Sequence, residues 1–328
     1  MFNHKYDYII SVENLLFIWG RFLRGKRNKK DVALFQMKLS DNIISLHNIL
    51  ADFSYTHDGY IDFFVSDPKP RHIHKASVKD RIVHHLLYHT LYDYFDNRFI
   101  FDSYSCRKYK GTHKALDRYT VFGRKVSRNN NKTCYVLKCD VRKFFASIDH
   151  KILINILERH IRNQPETMWL LKKVIDSFET ANNNEKGLPL GNLTSQLLVN
   201  IYMHEFDMYV KQGLRVKYYI RYADDFVIFS PDKTYLEDIL LSIEKFLFEQ
   251  LKLKLHPDKV YIKTYFSGVD FLGWIHFPYY RQLRTTTKRK MIRNLQGYPK
   301  TQTVISYRGL LSHGNTYKLQ KNFEIFNI

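Results

Sequence analysis

Tyr222-Ala223-Asp224-Asp225 is the stretch on which the reading of this chain turns. It sits between two apolar runs, residues 217–220 and 226–230, that form a hairpin with a tight polar corner. Two adjacent carboxylates in such a bend repel each other, and the flanking core offers them no solvation. The placement costs stability unless a cation or salt partner neutralises them. A solvated turn is the plain alternative, since Asp is favoured in turns. A second strand end tips the balance. In Leu137-Lys138-Cys139-Asp140, the Asp closes an apolar run just before Phe144-Phe145, with an edge-strand Asp as its plain alternative. Two strand-end carboxylate sites in one basic chain fit a two-metal phosphoryl-transfer centre. Two divalent ions roughly 3.5–4 Å apart need carboxylates from separate elements, and Mg²⁺ keeps several waters while borrowing substrate phosphates. One ion then lowers the pKa of an attacking 3′-hydroxyl, and the other neutralises the leaving pyrophosphate.

Composition supports a polyanionic partner. The 328 residues include 52 Lys and Arg against 32 Asp and Glu, a net charge of +20, with 45% hydrophobic and 16% aromatic residues. That apolar content excludes a disordered polyelectrolyte, and the length allows about two domains or one interleaved fold. Nucleic acid is the favoured partner, ahead of a membrane surface. No uncharged apolar stretch reaches the roughly 18–20 residues of a membrane span, since Glu13 breaks the first candidate. The opening residues also lack the basic n-region and cleavage site of a secretory leader. Cys106, Cys134 and Cys139 form no CxxC pair, so neither a disulfide framework nor a zinc knuckle is indicated. A soluble cytoplasmic protein with no membrane partner is expected.

No fixed-period repeat or low-complexity tract is visible. Apolar spacing predicts a helix over residues 39–50, beside a basic exposed segment at Arg24–Lys30. Tyr60–Val65 reads as a strand, Asp67–Pro70 as a turn, and residues 79–94 as a helix. Residues 135–141 read as a short strand, with Asp149 capping a helix over 152–161. Residues 179–187 form a polar loop. Leu198, Tyr202, Phe206 and Tyr209 mark an amphipathic helix. A helix over 236–251, strands near 260–264 and 271–277, and a basic helical tail from Thr285 complete the pattern. Irregular alternation of strand and helix indicates α+β. His85 and His89 have the i, i+4 spacing of a zinc helix, but Leu86 stands where the general base of that motif belongs, and they are read as ordinary histidines.

Together the Tyr222–Asp225 corner, Asp140 with Phe144-Phe145, and Gly187-Leu-Pro-Leu190-Gly191-Asn-Leu-Thr-Ser195-Gln196 resemble a reverse transcriptase. The resemblance runs from about residue 15 to 318. Its finger blocks look like Pro68-Lys-Pro-Arg71 with Lys79–Val83, and Tyr104–Gly111, and Val269–Trp274 resembles the primer grip. It implies a right-hand polymerase: an N-terminal helical extension over 1–50, interleaved fingers and palm over 51–284, and a short helical thumb over 285–328. By the same resemblance Asp140, Asp224 and Asp225 are the catalytic triad, holding two Mg²⁺ ions, with Mn²⁺ as a substitute. Phe145 falls at the steric gate, Arg71 and Arg107 at the triphosphate, and Leu190, Gly191 and Gln196 against the nucleotide. Tyr222, Gly273, Trp274, Lys288 and Arg289 fall along primer and template.

Most reverse transcriptases carry Q-G-x-x-x-S-P ahead of the Tyr-x-Asp-Asp hairpin. Here Leu190-Gly191-Asn-Leu-Thr-Ser195-Gln196 looks like the form of diversity-generating retroelements. That resemblance implies error-prone cDNA synthesis on a template RNA from deoxynucleoside triphosphates, with an accessory RNA-binding protein. Leu offers the nucleotide only dispersion contacts where Gln offers a hydrogen bond, so the penalty on a misplaced base weakens. Phage-defence reverse transcriptases share parts of the pattern, and a catalytically silent RNA-binding scaffold is a third reading.

Overall fold

The computed structural model describes residues 4–65, 70–178, 185–296 and 299–325. The chain divides into two compact units. One gathers residues 1–100, 142–208 and 246–253; the other gathers 101–141, 209–245 and 254–328.

The first unit is mostly helical. Helices Tyr6–Ile10, Val12–Phe22, Lys30–Met37 and Leu39–Ala51 open it. In the last of these Ile43, Leu46 and Leu50 are buried, the stripe that the spacing predicts. A ribbon follows, β1 (Tyr60–Val65) paired antiparallel with β2 (Arg71–Ala76). The turn expected at Asp67–Pro70 lies, save for Pro70, outside the described residues. Ser77 caps the helix Val78–Asp96 by accepting from the Asp80 amide. Asp149 does the same for His150–Ile161, accepting from the Ile152 amide. Helix Leu193–Met208 buries Leu198, Tyr202 and Phe206, the stripe read from the sequence, and passes into a π-helical turn at Tyr209–Gly213. Most of the polar loop expected at 179–187 lies outside the described residues.

The second unit is built on a four-stranded antiparallel sheet. Its order is β4 (Tyr219–Tyr222), β5 (Asp225–Ser230), β3 (Tyr135–Asp140), β6 (Tyr261–Thr264). Val136, Ile220, Val227 and Phe229 join a core with Leu116, Tyr119 and Phe122 of the helix Thr112–Val126. The single strand expected near 271–277 is instead a hairpin, β7 (Val269–Phe271) and β8 (Trp274–His276), extended by β9 (Arg281–Leu283). The reason is local: Leu272 and Gly273 both take left-handed backbone, φ 51° and 86°, and reverse the chain. Helices Thr285–Leu295, Thr301–Leu311 and Tyr317–Ile325 form the basic tail. No helix among the described residues is long and apolar enough to cross a membrane.

Candidate active site

Strand register assembles the carboxylates. β3 and β5 pair so that Asp140 stands opposite Asp225, and directly opposed residues share a sheet face. β4 and β5 close through Tyr222↔Asp225, leaving Ala223 and Asp224 as the corner. Ala223 sits at φ 55°, the left-handed backbone such a corner demands. The Val141 amide donates to the Asp224 carbonyl at 3.1 Å, and the His256 amide to the Asp140 carbonyl at 2.8 Å. The first bond pins the strand end to the corner, and the second ties the strand end to the segment ahead of Pro257. The three carboxylates read from the sequence thus converge within the second unit.

Two lysines accompany them. Lys138 Nζ lies 2.9 Å from Asp225 Oδ1 and 3.9 Å from Asp140 Oδ2, while Lys259 Nζ donates to Asp140 Oδ1 at 2.8 Å. Asp225 Oδ1 is buried and has no well-directed hydrogen bond, so its contact with Lys138 is an ion pair of imperfect alignment. Burial pushes the Asp225 carboxyl up to about 7 against the pull of Lys138. Burial, then the neighbouring Asp140, also raises Asp224.

Sequence reading missed both lysines and one arginine. Lys138 lies two residues before Asp140 and so faces the same way, a signal that strand alternation carries. Arg221, next to Tyr222, is fully buried. On the opposite face from Tyr222, it donates from Nη1 to the Ala223 carbonyl and from Nη2 to Ser103 Oγ, each at 3.1 Å.

Hard oxygen donors at adjoining strand ends, one of them buried without an aligned partner, suit Mg²⁺. Among the described residues no three His, Cys, Asp or Glu side chains are gathered into a ready-made metal site. The lysines hold the carboxylates instead. An ion held by Asp140 needs Lys259 to leave it, and that side chain is 40% exposed.

Other residues named from the sequence fall into two groups. In the first unit, Phe145 is not on a strand: β3 ends, Lys143 turns left-handed at φ 46°, and Phe144–Ser147 form a helical turn. Phe144 is buried and Phe145 half-buried. The Leu188 amide donates to the Phe145 carbonyl at 2.8 Å, and the His74 amide of β2 donates to the Leu190 carbonyl at 3.0 Å. Asn192 Nδ2 donates to the His74 carbonyl at 3.0 Å. Gly191, at φ 107°, passes so close to β2 that a Cβ would stand 3.0 Å from Ile73 Cγ2. Phe145, Leu190 and Gly191 therefore gather around one segment beside β2, with exposed Arg71 at the start of that strand and half-buried Gln196 in the helix beyond. His84 Nδ1 meets Thr194 Oγ1 at 2.5 Å in that helix's first turn, and its Nε2 meets His57 Nε2 at 3.3 Å.

In the second unit, Tyr222 accepts from Thr112 at 3.2 Å, and Arg107 donates to the Ser103 carbonyl at 3.0 Å. Lys288 and Arg289 are exposed on the helix Thr285–Leu295. Trp274 requires correction as a nucleic-acid contact: it is 2% exposed and belongs to the core, so the turn at Gly273 is what this hairpin presents.

The reverse transcriptase (RNA-dependent DNA polymerase) family model matches residues 66–276, more than half of the chain, and the chain belongs to that family. It is similar to Protein YkfC of Escherichia coli (strain K12), 27% identical over 247 residues that cover 63% of each chain. It also resembles the Putative COX1/OXI3 intron 2 protein of Saccharomyces cerevisiae (strain ATCC 204508 / S288c), at 24% identity over 199 residues, covering 43% of this chain and 23% of that one. The chain thus spans less than two thirds of the length of these curated relatives. Among solved structures, telomerase from Candida albicans in complex with a TWJ fragment of telomeric RNA matches at a TM-score of 0.53 and 11% identity. That match covers 76% of this chain and 53% of that one. The likeness is one of fold: helices with antiparallel sheets in the right-hand polymerase class.

Proposed function

We propose that the chain is an RNA-directed DNA polymerase, taking a template RNA, a primer or growing cDNA and deoxynucleoside triphosphates. The observation that carries this reading is the register pairing of Asp140 with Asp225, with Asp224 in the adjoining corner. Two Mg²⁺ ions held chiefly by Asp140 and Asp224 would activate the primer hydroxyl and neutralise the leaving pyrophosphate. By the family resemblance, Arg71 and Arg107 are assigned to the triphosphate, Phe145 to exclusion of a 2′-hydroxyl, and Leu190, Gly191 and Gln196 to the base pair being formed. Tyr222 and the Gly273 turn are assigned to the primer, and Lys288 with Arg289 to duplex phosphates, where Lys and Arg set register without reading sequence. Residues 51–284 would act as fingers and palm, 285–328 as thumb, and 1–50 as an N-terminal helical extension. Primer extension on an RNA template with Mg²⁺ tests the reading: the native chain extends and Asp224→Ala does not. A native chain that binds RNA without extending would leave only the scaffold.

Within that activity, the error-prone synthesis of a cytoplasmic diversity-generating retroelement, with an accessory RNA-binding protein, is the narrower reading. Leu190 supports it, since its side chain offers no hydrogen bond. A template and variable repeat pair beside the gene favours the retroelement, and its absence favours phage defence.

A further inference from the structure

Lys138 differs from the other cations around the carboxylates. Its position on β3 is opposite Val227 on β5, so Asp225 is its diagonal neighbour on the sheet face that also bears Asp140. β3 is flanked by β5 and β6 and cannot shift sideways. The Lys138 side chain is only 7% exposed, and its ammonium lies 2.9 Å from Asp225 Oδ1. Lys259 contacts Asp140 from the short 3₁₀ turn Pro257–Lys259, with a side chain 40% exposed. One lysine is built into the sheet and the other reaches in from solvent.

We infer that Lys138 is a positioning residue, a resident cation that holds Asp225 in place and leaves Asp140 and Asp224 to exchange divalent ions. The assignment of those ions rests on the polymerase reading; the ion pair itself does not. Three carboxylates on adjoining strand ends repel one another in low dielectric, and a fixed positive charge on the same face relieves this before any ion arrives. Because the Lys138 stem is enclosed by the sheet, its charge cannot withdraw when an ion enters. Asp225 therefore keeps its partner through the cycle, while Lys259 gives up Asp140 each time an ion binds there.

Thermal unfolding of the full chain in EDTA and in excess Mg²⁺ tests this without an activity assay. In Lys138→Met the metal-free Tm falls, and the rise on adding Mg²⁺ becomes at least about twice that of the native chain, because ion binding now supplies the missing charge. The double variant Lys138→Met/Asp225→Asn recovers the metal-free Tm and brings the Mg²⁺ response back to native size. In Lys259→Met, half of the Tm rise is reached at a lower Mg²⁺ concentration, since a competitor is gone. Equal Mg²⁺ responses in the native chain and Lys138→Met overturn the inference, as does a double variant no more stable than the single one. An unchanged Mg²⁺ midpoint in Lys259→Met overturns the exchange at Asp140. If Lys138→Met does not fold, folding of the double variant supports the pair and its failure overturns it. Should native protein fail at primer extension, the polymerase reading falls, while the metal-free comparison of single and double variants still decides the ion pair.

Discussion

Arg221 clamps Ala223 from behind the sheet: a fully buried guanidinium donates at 3.1 Å to the carbonyl of a residue held in left-handed backbone. The corner carrying Asp224 and Asp225 is thus braced on the face away from its carboxylates.

Replacing Arg221 with Met removes that brace and leaves the Ala223 carbonyl and Ser103 hydroxyl without this partner. A loss of about 1–3 kcal/mol in unfolding free energy follows, the usual cost of stranding buried hydrogen-bonding groups, read from urea denaturation. Primer extension falls more than nucleotide affinity, since the corner loosens while the triphosphate residues are untouched.

Ala223 itself predicts an asymmetric pair of variants. At φ 55° a glycine is unstrained, so Ala223→Gly is neutral or stabilising by up to about 1 kcal/mol. Ala223→Val puts a β-branched residue into the same backbone and destabilises by roughly 1–2 kcal/mol. Chemical denaturation of both variants beside the native chain checks the order. Val at least as stable as Gly would contradict it.

Acid stability is set in part by His84. Burial takes its pKa down to about 3 in the fold, against an unfolded value near 6.5. Between those limits the unfolded chain binds the extra proton, so the stability His84 contributes is complete above pH 6.5 and declines as pH falls toward 3. The slope from one such group is at most about 1.4 kcal/mol per pH unit. His57 and Thr194, its hydrogen-bonding partners, would separate first, loosening the first turn of the helix Leu193–Met208. His84→Gln flattens the decline in a pH series of denaturation curves.

Gly191 and Leu190 should respond in different assays. Gly191→Ala meets both a positive φ and the Ile73 methyl at 3.0 Å, so it costs about 1–2 kcal/mol and lowers extension. On the retroelement reading, Leu190→Gln leaves folding nearly unchanged and lowers misincorporation, measured by sequencing the cDNA. Unaltered misincorporation there would count against a nucleotide-facing role for Leu190.

Much of this was legible in advance, because the signals were local. The apolar run of β3, the apolar runs around Tyr222–Asp225 and the cap at Asp149 depend on neighbouring residues only. The hairpin at Leu272-Gly273 was not, since three-residue strands carry too little periodicity to separate from one longer run. Trp274 was named through the resemblance of Val269–Trp274 to the primer grip, which does not register that its ring lies against Gly314 and is 2% exposed. Lys138 and Arg221 went unread because a charged residue inside a strand gives no sign of its burial until the partner strands are known. The gathering of Leu190 onto β2 depends on residues more than a hundred positions apart, which spacing alone cannot supply.

Each compact unit is stitched from three separate lengths of chain, the first from residues 1–100, 142–208 and 246–253. During synthesis, then, the helices of the opening hundred residues emerge long before the segments they must pack with, and wait with apolar faces uncovered. Pairings so distant in sequence close late and slowly. No single proteolytic nick releases either unit intact, and a truncation ahead of residue 253 deprives both of material. Heterologous production of this protein should therefore respond more to slower translation and to chaperones than to trimming of its ends.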